Sequence, residues 1–457
     1  MDLRLSLAIL FGKTIAALTK FKGSGATAAP GLYALKIDPG LIKKLTKKLQ
    51  YGSIVISGTN GKTTTSRLTA DILSTKFKII HNRQGSNLLR GFASTLISSS
   101  NLLGKVDANL GIWEVDEATL PQALEHTIPK TIALLDLFRD QLDRYGEVDS
   151  VRAKWQKALS KLTSATLILN ADDPGISYLA KGFQGNVVYF GVEDKKLDLP
   201  QIASVADIRH CLNCGSNLDY SALLTAHMGH YACSNCNFQR PNPQISASKL
   251  KFQPNFSTSF KLTIHHSPFT IHYNLPGLYN VYNVLAASAI CDSLNIDHAK
   301  IKEKTEAFSA AFGRFQSAQI ENKSVLIFLI KNPAGANEVI RTLATKNNLN
   351  LLAILNDNIA DGRDVSWIWD TNWEILKSRI KSISVSGIRA WDLATRLKYT
   401  DIKLSKNSVY EDINYSITNT LSKLNNKDTL IVLPTYTALL EVQKTLSKLG
   451  GDKWHKD

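Results

Sequence analysis

Short apolar runs recur along the chain, each closing on a polar or glycine-rich turn and each followed by a stretch of helical period. Ser53–Ser57 (SIVIS) leads through a glycine turn into KTTTSRLTADIL. FKIIHN at 77–82, ANLGIWEVDEA at 108–118, TIALLD at 131–136, ATLILN at 165–170 and NVVYF at 186–190 repeat the theme. Strands alternating with helices at this spacing predict a doubly wound, mainly parallel α/β sheet. Ligands of such sheets bind at the carboxyl ends of the strands, where the first glycine turn, Glu114 and Asp136 fall. Residues 256–273 alternate apolar and polar side chains and predict an antiparallel hairpin. The last third restarts the rhythm with VLIFLI, a helix over 336–347, NLLAILND, a helix near 372–379, SISVSG, a helix over 390–398 and TLIVLP. It reads as a second, smaller Rossmann-like domain. Leu3–Leu18 is apolar but broken by Arg4 and Lys13, and is shorter than the ~20 residues of a bilayer span. It predicts an amphipathic helix, packed on the protein's own core or lying against a membrane surface.

The turn after the first strand carries chemistry. Gly58-Thr59-Asn60-Gly61-Lys62-Thr63-Thr64 sits between a strand and a helix. Glycines let the backbone curl so that its N–H groups point inward, and the helix adds the positive end of its dipole. Lys62 is placed to neutralise β/γ-phosphates and Thr63 to offer an oxygen to Mg²⁺. The strict phosphate-loop pattern has four residues between its glycines, whereas only Thr59 and Asn60 lie between Gly58 and Gly61. The alternative is an ordinary strand-to-helix turn.

Four of the five cysteines form Cys211-x₂-Cys214-x₁₈-Cys233-x₂-Cys236, inside a segment (205–245) that interrupts the α/β alternation. Two such knuckles can put four thiolates on one tetrahedral zinc ion, and a four-thiolate site is closed, hence structural. A redox dithiol or a disulfide pair is the alternative. Cys291 stands in an apolar run, AASAICDSL, as a core residue.

The 457 residues suggest two or three domains. The net charge of +15 comes from scattered basic residues, with no aromatic-interleaved stripe of the kind nucleic acid binding uses. A generally basic surface, compatible with a modest attraction to anionic lipid, is the plainer reading. With no secretory signal evident, the expected location is cytoplasmic.

Two further stretches stand out. Asn280 and Asn283 open a helix within one turn of each other, fit for contacting a nucleotide base or for capping. Gly313-Arg314-Phe315 offers a hinge with an arginine for phosphate. Residues 356–370 hold four aspartates and two tryptophans at the end of a strand, either a functional loop or a solvated acidic one.

Taken in order, GTNGKTTT, WEVDEA, LDRYGEVDSVRAKW, NVYNVLAA and GRF resemble the Mur ligases, the ATP-dependent enzymes of peptidoglycan precursor synthesis, and their folylpolyglutamate synthase relatives. IKNPAGANE, ADGRDVSWIWD, VLPTYTA and the four-cysteine insertion resemble the MurT branch, synthetase subunits of lipid II isoglutaminyl synthase. The resemblance implies a Mur-type central domain over 1–312, with the zinc ribbon inserted, and a MurT-type C-terminal α/β domain over 313–457. It implies ATP-dependent amidation of the α-carboxyl of D-isoglutamate in the lipid II stem peptide, through an acyl phosphate. Ammonia would come from a separate GatD-like glutaminase, since no glutaminase signature accompanies Cys291. The enzyme would work in the cytoplasm, peripheral to the inner face of the membrane that carries lipid II.

Carried over residue by residue, Lys62 holds phosphate and Thr63 and Glu114 hold Mg²⁺. Asn280, Asn283 and Arg314 contact the nucleotide, and Lys154 falls where many Mur ligases carry a carbamylated lysine that binds a second Mg²⁺. Asp364, with Asp361 as runner-up, would complete the Cys–His site of the glutaminase, a carboxylate orienting a histidine. Gln141 stands where many Mur ligases have a metal-binding histidine. LIKNPAG replaces an aspartate-bearing motif that positions substrate, as suits a ligase that accepts ammonia. Two other readings compete. One is a stand-alone amino-acid ligase of the Mur or folylpolyglutamate type. The other is a zinc-ribbon nucleic-acid-binding ATPase, which the sparse basic flanks of the ribbon (Arg209 and Arg240) disfavour.

Overall fold

In the computed structural model, which describes residues 2–21, 28–82, 86–139, 147–200, 206–308 and 315–450, two α/β sheets organise the chain. Helices α1 (Leu3–Phe21), α2 (Ala29–Ile37) and α3 (Leu41–Thr46) precede the first strand. Strands β1 (Ser53–Ser57), β2 (Ile79–His81), β3 (Leu110–Glu114), β4 (Thr131–Leu134), β5 (Thr166–Asn170) and β6 (Asn186–Val192) are parallel. Between them run α4 (Lys62–Leu73), α5 (Leu89–Ser98), α6 (Leu120–Thr127), α7 (Val148–Leu159) and the single turn α8 (Pro174–Ser177). β7 (Leu218–Thr225) and β8 (Met228–Cys233) form a separate antiparallel ribbon. β9 (Ile245–Phe252) rejoins the sheet parallel to β6, and β10 (Thr258–Ile264) and β11 (Ser267–Tyr273) extend it as the expected hairpin. The order is β11-β10-β9-β6-β5-β4-β1-β3-β2.

Every residue of β1 is buried, because helices cover both faces of the sheet. Alternation along the strand divides its side chains. Ile54 and Ile56 join a core with α4 and with α9 (Leu278–Ser293), and Val55 joins one with α1, α3, α5, α6 and α7. Helix α9 is buried almost all round, which explains its small residues Ala286, Ala287 and Ala289. Helix α10 (His298–Ala307) follows.

The second sheet contains β12 (Phe315–Ile320), β13 (Lys323–Phe328), β14 (Leu349–Ile354), β15 (Ile380–Ser386), β16 (Val409–Tyr410) and β17 (Thr429–Pro434). Their order is β12-β13-β17-β14-β15-β16, with only the β12–β13 pair antiparallel. Helices α11 (Pro333–Leu343), α12 (Ala390–Lys398), α13 (Ile413–Ser422) and α14 (Tyr436–Lys448) pack on it. The helix expected near 372–379 is absent. Two 3₁₀ turns, Ser366–Asp370 and Trp373–Leu376, stand there instead, split by Thr371 in extended conformation. Arg396 of α12 holds them open by donating to the carbonyls of Ile368 and Thr371. The boundary expected between 312 and 313 lies outside the described residues.

Helix α1 buries Leu5, Ala8, Ile9 and Gly12 and leaves its opposite face in solvent. Among the described residues no helix is long and apolar enough to cross a membrane.

Candidate functional site

The glycine loop leaves β1 and turns into α4 with Gly58 at φ 146° and Gly61 at φ 82°. A Cβ on Gly61 would stand 2.2 Å from Asn283 Oδ1, so the loop is shaped against α9 as well as by its own sequence. Thr65 at the start of α4 donates to the same Asn283 oxygen. Lys62 is 6% exposed, its ammonium bonded to the carbonyls of Gly58 and Thr59 and 3.0 Å from Glu117 Oε2. The loop thus concentrates N–H groups, a helix N-terminus and one buried cation, the donor set phosphate requires.

Glu114 ends β3 beside the loop. Its Oε1 accepts a 2.8 Å hydrogen bond from Thr63 Oγ1, and Asn82 braces the strand end by accepting from Glu114 N and donating to Glu114 O. Glu114 is 5% exposed. A hydroxyl and a carboxylate side by side are hard oxygen donors fitted to Mg²⁺. Asp136, just beyond β4, accepts from Asn60 N at 2.7 Å. Burial pushes its carboxyl up to about 7, against the opposing effect of that hydrogen bond and with nearby Asp173 adding to the rise.

The loop borders a partly open cavity whose walls include Asn60, Asp136, Tyr279, Asn283, Lys331 and Thr225. Three parts of the chain therefore meet here. From the C-terminal region, Lys331 Nζ donates to Thr59 O at 3.3 Å and Asn332 Nδ2 to Asn60 Oδ1 at 3.1 Å. From the ribbon comes the β7–β8 tip. Thr225 donates to Glu338 of α11 at 2.8 Å, and Arg341 of α11 donates to Leu224 O at 2.6 Å. His227, fully buried at the tip, packs on Phe138 with ring centroids 4.7 Å apart.

At the other end of the same ribbon the four cysteines converge. Their sulfur atoms all lie within 4.8 Å of one another, with Cys211–Cys236 at 3.4 Å and Cys214–Cys233 at 3.5 Å. These separations exceed the ~2.05 Å of a disulfide. They suit four thiolates about one ion, with ~2.3 Å zinc–sulfur bonds. The cluster is therefore consistent with a zinc site, and the disulfide alternative is removed because all five cysteines are free. Cys291 is buried, and burial pushes its thiol well up, as a core residue requires.

The expected site residues separate into groups. Gly58, Thr59, Asn60, Gly61, Lys62, Thr63, Thr64, Glu114 and Asn283 are brought together. Asn280 is adjacent but turned away from the cavity, donating to Pro276 O at 2.8 Å and accepting from Asn283. Lys154 is exposed on α7, with no hydrogen bond to the site among the described residues. Its neighbour Trp155, about 100° further round the helix, is the buried one and donates to Glu117 O. Arg314 and Gln141 lie outside the described residues. Asp136 lies at the site, as its place at a strand's carboxyl end implies, and Glu117, Lys331, Asn332 and Thr225 reach it without having been assigned to it. WEVDEA and LIKNPAG held a signal for Glu117, Lys331 and Asn332; nothing in sequence pointed to Thr225.

The acidic loop after β14 forms a second centre. Asp361 is buried and caps α14, accepting from Thr437 N at 2.8 Å and from Thr437 Oγ1 at 2.5 Å. Burial raises its carboxyl above the usual range. Asp364 is exposed, and its hydrogen bonds from Ser366 hold its carboxyl below that range. Ile359 in the same loop, Ile388 just after β15 and Trp391 of α12 are exposed apolar residues.

Residues 56–291 match the model of the Mur ligase middle domain, and residues 329–439 match that of the MurT ligase C-terminal region. The lipid II isoglutaminyl synthase (glutamine-hydrolyzing) subunit MurT of Staphylococcus aureus strain COL is 33% identical over 444 residues, covering 96% of this chain and 97% of that protein. The protein of the same name from Streptococcus pneumoniae R6 is 32% identical over 467 residues, covering 98% of each. Among solved structures, a pseudomurein peptide ligase type C from Methanothermus fervidus superposes with a TM-score of 0.67 at 22% identity, covering 89% of this chain and 80% of that one. MurF ligase from Thermotoga maritima in complex with ADP does so with 0.64 at 13% identity, covering 91% and 84%. These structural likenesses establish the fold.

Proposed function

The chain belongs to the MurT branch of the Mur ligase family, and from that premise we propose that it is the ATP-dependent synthetase that amidates the stem peptide of lipid II during peptidoglycan synthesis. The α-carboxylate of D-isoglutamate attacks the γ-phosphorus of ATP, and ADP leaves. Ammonia attacks the resulting acyl phosphate, inorganic phosphate leaves, the nitrogen loses a proton, and D-isoglutamine is formed. The observation that carries this reading is the 33% identity to the Staphylococcus aureus MurT subunit over nearly the full length of both chains.

The residues fit the reaction. The loop's N–H groups and Lys62 hold the phosphates, with Glu117 holding the Lys62 ammonium in place until they arrive. Thr63 and Glu114 would hold Mg²⁺, which when bound supplies charge neutralisation between phosphate oxygens and an approaching carboxylate. Asn283 shapes the loop and the cavity wall where the nucleotide lies. Asn280 positions Asn283. Lys331 and Asn332, on the segment that replaces the aspartate-bearing motif, bring the C-terminal region against the loop. The four cysteines hold zinc as a structural ion.

A GatD-like glutaminase supplies the ammonia and docks on the C-terminal region, the chain being one half of a heterodimer. Asp364 is the carboxylate available to the partner's Cys–His pair, since it is exposed and ionised while Asp361 is spent on capping α14. Residues 313–457 act as the domain that carries this contact, and the complex works at the inner face of the membrane.

The test feeds purified protein and ATP with ammonia or with candidate amino acids in the presence of stem peptide. Phosphate release stimulated by ammonia supports amidation. Stimulation by an amino acid alone would instead establish the stand-alone ligase.

A further inference from the structure

Helix α1 presents two faces of the same hydrophobic character to different surroundings. Leu5, Ala8, Ile9 and Gly12 are buried against the body of the protein, whereas Leu3, Leu7, Leu10, Phe11, Leu18 and Phe21 face solvent. Their spacing of three, four and seven places them along one side of the helix. Leu7 is 60% exposed and Phe21 93%. Leu32 and Tyr33 of α2, which packs beside α1, are exposed apolar residues as well. Arg4 Nε donates to Ile37 O at 2.6 Å and fixes the two helices together, so the strip belongs to a rigid face. Isolated exposed leucines are ordinary; a continuous helical side of them is the mark of a surface that something covers.

Charge identifies what covers it. Residues 1–50 carry nine Lys and Arg against two Asp and Glu, and the whole chain is +15. Lys13, Lys20 and Lys36 flank the apolar strip, the Lys36 ammonium over the Tyr33 ring at 5.5 Å. Apolar side chains along one side with lysines at the margins are the arrangement by which a helix lies in a lipid interface, its apolar side in the acyl boundary and its cations among anionic headgroups. The helix is not able to span a bilayer.

We propose that α1, with the exposed edge of α2, is a membrane-docking face that seats this protein on an anionic lipid surface. Such seating would hold the protein at the surface where a lipid-linked substrate presents its head. That consequence rests on the lipid II reading; the docking itself does not.

The experiment floats the purified full chain on a sucrose gradient with vesicles of phosphatidylcholine alone or of phosphatidylcholine with phosphatidylglycerol. The chain is expected to float with the anionic vesicles and far less with the neutral ones. Leu7→Gln/Phe11→Gln/Leu18→Gln is expected to lower partitioning by about tenfold or more with an unchanged thermal midpoint, and Lys13→Glu/Lys20→Glu to lower it in the anionic case alone. Wild-type protein that stays at the bottom with both vesicles would overturn the proposal. So would a triple variant that floats like wild type. Self-association that the triple variant abolishes would assign the face to a second copy, and loss of flotation on binding the glutaminase would assign it to that partner; either result overturns membrane docking. Amidation of a water-soluble stem peptide, measured without vesicles, reports the reaction independently of the docking.

Discussion

Asn283 Oδ1 fills the space that a Cβ on Gly61 would need, at 2.2 Å, although the two residues lie far apart in sequence. The phosphate loop is thereby locked to α9, and Gly61 at φ 82° has a second reason to be glycine. Gly61→Ala should destabilise the fold by about 1–3 kcal/mol and weaken ATP binding by about tenfold or more. Calorimetric titration with ATP and thermal unfolding check this. Gly61→Ala/Asn283→Ala removes the clash but keeps the positive φ, so only part of the loss should return.

Thr63 and Glu114 should act as a pair. Thr63→Ala and Glu114→Gln are each expected to lower kcat by about a hundredfold and to raise the Mg²⁺ concentration giving half-maximal rate. The double variant should lose little more than either single one, because both remove the same metal contact. Additive losses would show that they serve separate purposes.

The raised carboxyl of Asp136 gives stability a pH dependence. The unfolded chain releases this proton near the ordinary aspartate value, about 4, while the folded chain holds it to about 7. The contribution is therefore full below about 4 and is lost as pH rises to about 7, with a ceiling of ~1.4 kcal/mol per pH unit for one group. Asp136→Asn keeps an oxygen for Asn60 N and removes the charge. Its thermal midpoint relative to wild type should rise between pH 5 and pH 8. A difference that does not vary with pH would contradict the assignment.

The four-cysteine ribbon should support the cavity beside the glycine loop at a distance. Cys233 pairs with Leu218 at one end of the hairpin and Thr225 with Met228 at the other, about 23 Å apart at strand rise. Cys233→Ser, or stripping metal with a strong chelator, should lower the thermal midpoint and expose the hairpin to protease. Glu338→Ala, which removes the acceptor of Thr225, should cost about 1–2 kcal/mol and raise the KM for ATP while leaving metal content unchanged. An unaltered midpoint after chelation would contradict a structural ion.

Much of this was legible in the sequence, for a physical reason. β1 and the loop are local: an apolar run, two glycines and a hydroxyl-rich helix start decide their conformation within fifteen residues. The four cysteines are likewise legible because a metal knuckle is a short-range pattern. What escaped depends on contacts between remote residues. Asp361 and Asp364 look alike in ADGRDVSW, yet Thr437 of α14 takes one and solvent keeps the other. Lys154, matched by its place in VRAKW alone, faces solvent because the rotation of α7 turns its neighbour Trp155 inward. The solvent-facing side of α1 could not be told from its buried side, since leucine and phenylalanine on the one are as apolar as leucine, alanine and isoleucine on the other.

The central claim is that the acceptor is ammonia, and the product decides it. The chain is incubated with ATP, Mg²⁺ and a lipid II stem peptide, with ammonium or with glutamine and the glutaminase partner, and the peptide is read by mass spectrometry. The account predicts a carboxyl-to-amide exchange at D-isoglutamate from either nitrogen source, lost with Lys62→Ala in both. Asp364→Asn should remove the glutamine-driven reaction and leave the ammonium-driven one. A peptide lengthened by an amino acid, or one left unamidated while ATP turns over without ammonia, would contradict it.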